Sequence, residues 1–89
     1  MNKQEQIEAY LKDIILPLTN RPEEVKINLT MEASGFGIVA NVLASDEDMP
    51  LLIGKAGAVA SAIRKLIEIW CEVNSAKVIM IIGNPLPND

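Results

Sequence analysis

Histidine is missing from this chain of 89 residues, and cysteine occurs once, at Cys71. Without histidine the commonest general base near neutral pH is gone. One cysteine excludes an intramolecular disulfide and a cysteine-rich zinc site, which suits a reducing, cytoplasmic setting. Cys71 has neither a helix N-terminus nor a histidine beside it, so it reads as a small packed residue rather than a reactive thiol. No metal cluster and no nucleophile with a base can be assembled, and neither catalysis nor a cofactor is expected. Aromatic residues are 3% of the chain, and Tyr10 and Phe36 stand too far apart in sequence to argue a stacking platform. No apolar run approaches the ~20 residues of a membrane span, and the opening "MNKQEQIEAY" contains no secretory apolar region, so no membrane partner is expected. Cations are in short supply too: eight Lys and Arg against twelve Asp and Glu give a net charge of −4. Nucleic-acid-binding domains usually carry a basic patch or a high pI. Any such function must therefore rest on local geometry rather than bulk charge.

What is present is enough for one core, with 49% of residues hydrophobic and a length that suits a single domain. Ile7, Tyr10, Leu11, Ile14, Ile15 and Leu18 step by three and four, which predicts an amphipathic helix over residues 3–16. Pro17 limits it, and "TNRP" reads as a turn. Val25, Ile27, Leu29 and Met31 alternate with polar residues, the pattern of a half-buried strand over 25–31. "EASGFG" supplies a hairpin turn. Ile38–Leu43 is mostly apolar on both faces, which suits a central strand. Ser45-x-x-Asp48 gives a helix-start signal; Pro50 must then lie in the first turn, and Gly54 ends a short helix. A second helix opens at Gly57 and Ala58, with Val59, Ala62, Ile63, Leu66, Ile69, Trp70 and Val73 as its expected buried face. Ser61, Arg64, Lys65, Glu68 and Glu72 lie mostly opposite, with Arg64 and Glu68 at the i,i+4 spacing of an ion pair. "NSAK" breaks this helix, and "KVIMII" over 77–82 is a β-branched strand. Residues 1–83 are expected to form the domain and 84–89 a tail.

The order is therefore α-β-β-α-α-β, an α+β fold. The second and third strands flank a helical crossover and should be parallel neighbours. The helices then cover one face of a three-stranded mixed sheet, and the other face is left to solvent or to a partner.

The stretch "LLIGKAGAVASA" places two glycines between two helices. On the glycines alone a tight helix–helix turn, with Gly54 as the cap, fits equally well. Three further details suit an anion. The loop ends at a helix N-terminus, with unpaired N–H groups and a positive dipole. Glycine lets another backbone approach closely. Lys55 adds a cation at the same point. A P-loop is a poorer fit, for want of length and hydroxyl, and Gly35-Phe36-Gly37 lacks the third glycine of a dinucleotide fingerprint.

"IGKAG" in this order of elements resembles a type II KH domain with its GXXG loop. The chain from about residue 7 to 82, with "PEEV", "EDM" and "IGKAG…A.AIRKLI" as its most specific pieces, resembles the small bacterial single-KH-domain proteins of the KhpA group. KH domains bind roughly four nucleotides of single-stranded RNA or DNA, with the GXXG loop clamping the backbone. The resemblance implies that Gly54, Lys55, Ala56 and Gly57 hold the sugar-phosphate backbone, with Ile53, Ala58 and Ser61 beside them. Leu52, Val59 or Ala60 would help form one apolar wall, and residues 78–80 the opposing one. It also implies post-transcriptional regulation or RNA chaperoning, and pairing with a second copy or with a KH protein of the KhpB type.

Two positions depart from the group. Ala58 stands where a base is frequent, leaving Lys55 as the loop's only cation, and Pro50 replaces a frequent glycine. Asp46, Glu47 and Asp48 lie on the order of 10 Å from the loop, about one Debye length. Weak binding by a single domain is expected, with avidity gained by pairing. Trp70 serves as a core residue or, alternatively, as an interface anchor with Ile69 and Leu86. The competing function is a protein-interaction or assembly subunit with little affinity for nucleic acid.

Overall fold

Asn2 starts the first helix. Its side chain accepts from the Glu5 N–H at 2.8 Å, and the Glu5 carboxylate accepts from the Asn2 N–H at 3.2 Å, a reciprocal capping box. In the computed structural model, which describes residues 2–35 and 37–83, α1 spans Lys3–Ile15. Pro17 has no N–H to continue the α ladder, so the chain tightens into a single 3-10 turn over Leu16–Leu18. Ile7, Leu11 and Ile15, four residues apart, form one fully buried stripe, while Leu18 is exposed. Each such aliphatic burial contributes about 1.5–3 kcal/mol.

Strand β1 is Lys26–Met31, β2 is Ile38–Leu43 and β3 is Val78–Ile82. The sheet order is β1-β2-β3, with β1 antiparallel and β2–β3 parallel. The central place expected for Ile38–Leu43 and the parallel pairing across the helical crossover are both present. Register sorts the residues by face. Ile27 and Leu29, Ile38, Ala40 and Val42, and Val78, Met80 and Ile82 share the face that meets the helices. Lys26, Asn28 and Thr30 share the opposite face with Val39, Asn41 and Leu43 and with Ile79 and Ile81. The Asn41 Oδ1 on that face is buried and without a hydrogen-bond partner.

Helix α2 is Met49–Ile53 and α3 is Ala58–Asn74, with a 3-10 turn over Lys55–Gly57 between them. Pro50 does lie in the first turn of α2, and Gly54 does end it. Leu52 from α2, Ile63 and Ile67 from α3 and Met80 from β3 complete the core begun by α1 and β2.

The expected buried face of α3 is corrected. Ala60, Ile63 and Ile67 are buried, and Val59, Trp70 and Cys71 pack partly against the core. Ala62, Leu66, Ile69 and Val73 face outward. Ala62, Leu66 and Ile69 each precede a core-side residue by one position, a rotation of about 100°. The helix carries two apolar stripes, and the curvature of the core selects one. Trp70 is half-buried and packs against the core. The expected tail and Leu86 lie outside the described residues.

Asp48 is the second correction. Ser45 does cap the turn, its hydroxyl accepting from the Asp48 N–H at 3.2 Å. The Asp48 carboxylate does not reach back to complete a box. It is buried and accepts from the backbone N–H groups of Asn20 at 2.9 Å and Arg21 at 2.8 Å. It thus ties the "TNRP" turn to the start of α2. Among the described residues no helix is long and apolar enough to cross a membrane.

Candidate functional site

The turn between α2 and α3 owes its shape to three departures from ordinary backbone within four residues. Gly54 sits at φ 78°, ψ 170°, Ala56 at φ 54°, ψ 27°, and Gly57 at φ 77°, ψ 14°. The first conformation is open essentially to glycine alone, and the left-handed one costs an alanine on the order of 1–2 kcal/mol. The Gly54 N–H donates to Pro50 O at 2.8 Å, and the Gly57 N–H to Gly54 O at 3.1 Å. The Ala58 N–H donates to Lys55 O. These last two N–H groups are therefore spent inside the turn, which narrows the expectation of a bare helix N-terminus.

The two glycines have different neighbours. A Cβ at Gly54 would lie 2.5 Å from Val59 Cγ2 and 2.7 Å from the Val59 backbone N. At Gly57 it would meet nothing within 4 Å. Gly54 is thus a packing requirement between the two helices, and Gly57 presents bare backbone to the outside. Lys55, Ala56, Ala58 and Ser61 are exposed around it, and Ile53 is 41% exposed beside it. The structure brings all seven expected positions together at one end of the helix pair. Leu52 and Ala60 are core residues and cannot serve as an apolar wall; Val59 is half-buried against Gly54.

Beyond the turn, a groove of about 240 Å³ runs between α3 and β3, lined by Arg64, Ile67, Glu68, Val78, Ile79 and Met80. Arg64 lies about 10 Å along the helix from Gly57. Among the described residues strand β3 is the sheet edge, with no strand on its second side. Lys77 O accepts from Ile38 N at 2.9 Å. Backbone direction alternates along a strand, so Val78 and Met80 turn their N–H and C=O groups to the open edge. Arg64 and Glu68 form no ion pair with each other among the described residues; the four ion pairs there are Lys12–Glu8, Arg21–Glu24, Arg21–Glu47 and Lys77–Glu32. The anticipated i,i+4 pair is therefore absent, and both side chains are left to the groove.

Local charge differs in sign from the whole. Between Asp48 and Glu68 the chain has no acid but contains Lys55, Arg64 and Lys65. This run could have been read from the sequence, where attention to the net charge concealed it. Two of the acids before α2 are engaged by other groups. Glu47 Oε1 lies 3.2 Å from Arg21 Nε. The Asn20 N–H, above all, holds the Asp48 carboxyl below the usual carboxylate value against the opposing effect of burial, with the Arg21 N–H, the Ser45 hydroxyl and the Arg21 charge assisting.

A cavity of about 330 Å³ at the far end of α3 is lined by Asn2, Lys3, Gln4, Met31, Ile38, Ser75, Ala76 and Lys77. Both of its lysines are engaged: Lys3 Nζ donates to the Asn74 carbonyl, and Lys77 Nζ lies 3.5 Å from Glu32 Oε1. No group of three His, Cys, Asp or Glu side chains that could hold a metal occurs among the described residues.

The family model of the KhpA/KhpB KH domain matches residues 7–82. An RNA-binding protein KhpA of Listeria monocytogenes is 35% identical over 72 residues, which cover 81% of this chain and 92% of the relative. One of Oceanobacillus iheyensis is 34% identical over 61 residues, covering 68% of this chain and 79% of the relative.

Proposed function

From its membership of the KhpA/KhpB KH-domain family, to which this chain belongs, we propose that the protein binds single-stranded RNA without catalysing a reaction on it, the turn at Gly54–Gly57 clamping the sugar-phosphate backbone. The observation that carries this reading is the contrast between the two glycines. Gly54 closes the helix pair, while Gly57 leaves backbone uncovered beside the exposed Lys55. A phosphodiester can approach there without meeting a side chain, and one cation awaits it. Ile53, Ala58 and Ser61 flank the path. The α-β-β-α-α-β order with parallel β2 and β3 supports the type II form of the domain. In a cell such a module serves as a cytoplasmic post-transcriptional regulator or RNA chaperone.

The test replaces Lys55 and Ala56 with aspartates and titrates a fluorescent single-stranded RNA, with DNA of the same sequence as a second probe. Aspartate tolerates the left-handed conformation of position 56, so the melting curve should not move while affinity is lost. With roughly two to four phosphates engaged, the slope of log K against log salt should fall between about −1.4 and −2.8. Absence of binding by the unaltered protein at low salt refutes the reading.

A second copy of the chain is the proposed partner, supported by the outward stripe of Ala62, Leu66, Ile69 and Val73 on α3. Ile69 is 56% and Val73 77% exposed. A KH protein of the KhpB type would use the same stripe. Pairing joins two modest sites and raises avidity without new contacts to RNA.

A further inference from the structure

We infer that the groove between α3 and the edge strand β3 is a guanine subsite, in which Glu68 accepts from the Watson–Crick N–H groups of the base and Arg64 donates to its O6. This deepens the RNA-binding reading and rests on it. Its Arg64 wall lies about 10 Å along α3 from Gly57, and the groove measures about 240 Å³.

The starting point is an oddity. A path for a polyanion should exclude carboxylates, and residues 49–67 do contain none. Glu68 ends that run and lines the groove. Against a phosphate it is repulsive, so its place in the groove favours occupation by a base edge that donates. Arg64 is one helical turn away, with about 5–6 Å between the two Cβ atoms. No ion pair joins the two, so the carboxylate and the guanidinium stand side by side and unspent.

That juxtaposition selects among bases. A carboxylate is acceptor-only with two oxygens, and a guanidinium is donor-only with a planar fork. Guanine alone offers two adjacent donors, N1–H and the 2-amino group, next to an acceptor, O6. Adenine and cytosine each offer one amino donor beside a ring acceptor, which would repel the second carboxylate oxygen. Uracil offers one N–H between two acceptors. The apolar floor of Ile67, Val78 and Met80 takes the ring, and the outward N–H and C=O groups of Val78 and Met80 remain for the base's other edge.

The experiment uses uridine octamers with one central guanosine, adenosine, cytidine or inosine, titrated by fluorescence anisotropy against the whole protein and its E68A and R64A variants. The unaltered protein should prefer guanosine over the other standard bases by about 5- to 150-fold, the range of one good bidentate contact. Inosine, which lacks the 2-amino group, should lose part of that preference. In E68A the guanosine–inosine difference should vanish while the all-uridine octamer binds as well or slightly better. R64A should lower guanosine binding more than uridine binding. Both residues are exposed on a helix, and unchanged melting curves check the fold. Equal binding of all bases, or a uniform gain for every octamer in E68A, overturns the guanine subsite and leaves the RNA-binding reading standing. Failure to bind any octamer at low salt overturns both.

Discussion

Replacing Gly54 and Gly57 separately by alanine should separate folding from binding within four residues. At Gly54 two costs combine. The backbone at φ 78°, ψ 170° lies in a region that is essentially glycine-only, worth about 1–3 kcal/mol of strain. The new methyl would also sit 2.5 Å from Val59 Cγ2, 2.7 Å from its N and 2.8 Å from its Cβ. The side chain could rotate away, but the backbone N could not. Overpacking of this kind costs about 1–3 kcal/mol, so Gly54→Ala should destabilise by about 2–6 kcal/mol. At Gly57 only the left-handed conformation opposes alanine, at about 1–2 kcal/mol, because the methyl meets open space.

A domain of this length is stable by roughly 4–13 kcal/mol. Gly54→Ala should therefore lower the melting temperature by about 10 °C or more, and Gly57→Ala by about 4–15 °C. Thermal melting gives the two Tm shifts, and urea denaturation followed through Trp70, the one tryptophan and partly packed against the core, gives the two free energies, with the slope against urea unchanged if only stability moves. RNA titration of the folded variants gives the other half. Gly57→Ala should bind weakly while folded, since its methyl fills the uncovered approach. Equal destabilisation by the two changes, or a silent Gly54→Ala, would refute the packing account of the turn. Unchanged affinity in Gly57→Ala would refute its use by a ligand.

Three further outcomes follow from other parts of the molecule. The folded Asp48 carboxyl titrates below its ordinary value of 3.8, so its stabilising effect is complete above about pH 4 and is lost as pH falls toward the folded value; melting from pH 7 to pH 2.5 should show Asp48→Asn less stable at neutral pH, with a flatter acid limb. A Tm for Asp48→Asn equal to that of the unaltered protein at pH 7 would contradict this. Asn41→Val removes an unpartnered buried oxygen and adds a β-branched residue to a central strand, so it should stabilise by about 1 kcal/mol, and a lower melting temperature would mean that Oδ1 has a partner. Ile69→Asp, on the outward stripe, should leave stability within about 0.5 kcal/mol and abolish self-association in sedimentation velocity; a monomeric unaltered protein at high micromolar concentration would remove the second copy as partner.

Much of this fold was legible in the chain because local and long-range preferences agree. Ile38–Leu43 is mostly apolar on both faces and lies between two strands. Pro50 is admitted only in the first turn of α2 and Gly54 ends it, which leaves a helix of five residues. Where preferences compete, the pattern was ambiguous. Helix α3 is apolar along two stripes 100° apart, and only the positions of α1 and the sheet decide that Ile63 and Ile67 go inward while Leu66 and Ile69 stay out. Asp48 has the spacing of a capping acid, yet two N–H groups 27 and 28 residues away claim its carboxylate, a long-range contact that no window of sequence contains. For the site, the glycines placed the turn, but their division of labour depends on Val59, which only the packed helices bring against Gly54.

The charge of the chain follows the same logic at larger scale. Eight cations and twelve acids give −4 overall, but residues 49–67 hold three cations and no acid, which leaves five against twelve elsewhere. At physiological salt the field of a charge decays over about 8 Å. A strand already seated on the glycine turn therefore feels Lys55, Arg64 and Lys65 more than the acids beyond them, two of which are further engaged by Arg21 and by backbone N–H groups. A strand still several screening lengths away meets the net negative charge. On the proposed reading, association gains nothing from steering and lies near the rate of neutral partners, about 10⁵–10⁶ M⁻¹s⁻¹, while affinity is set by how slowly a seated strand leaves. Slow departure needs contacts that are short-ranged and directional rather than ionic. Glu68 beside Arg64 in the α3–β3 groove supplies that kind of contact, and its acidity, a liability toward phosphate, becomes an advantage toward a base edge that donates.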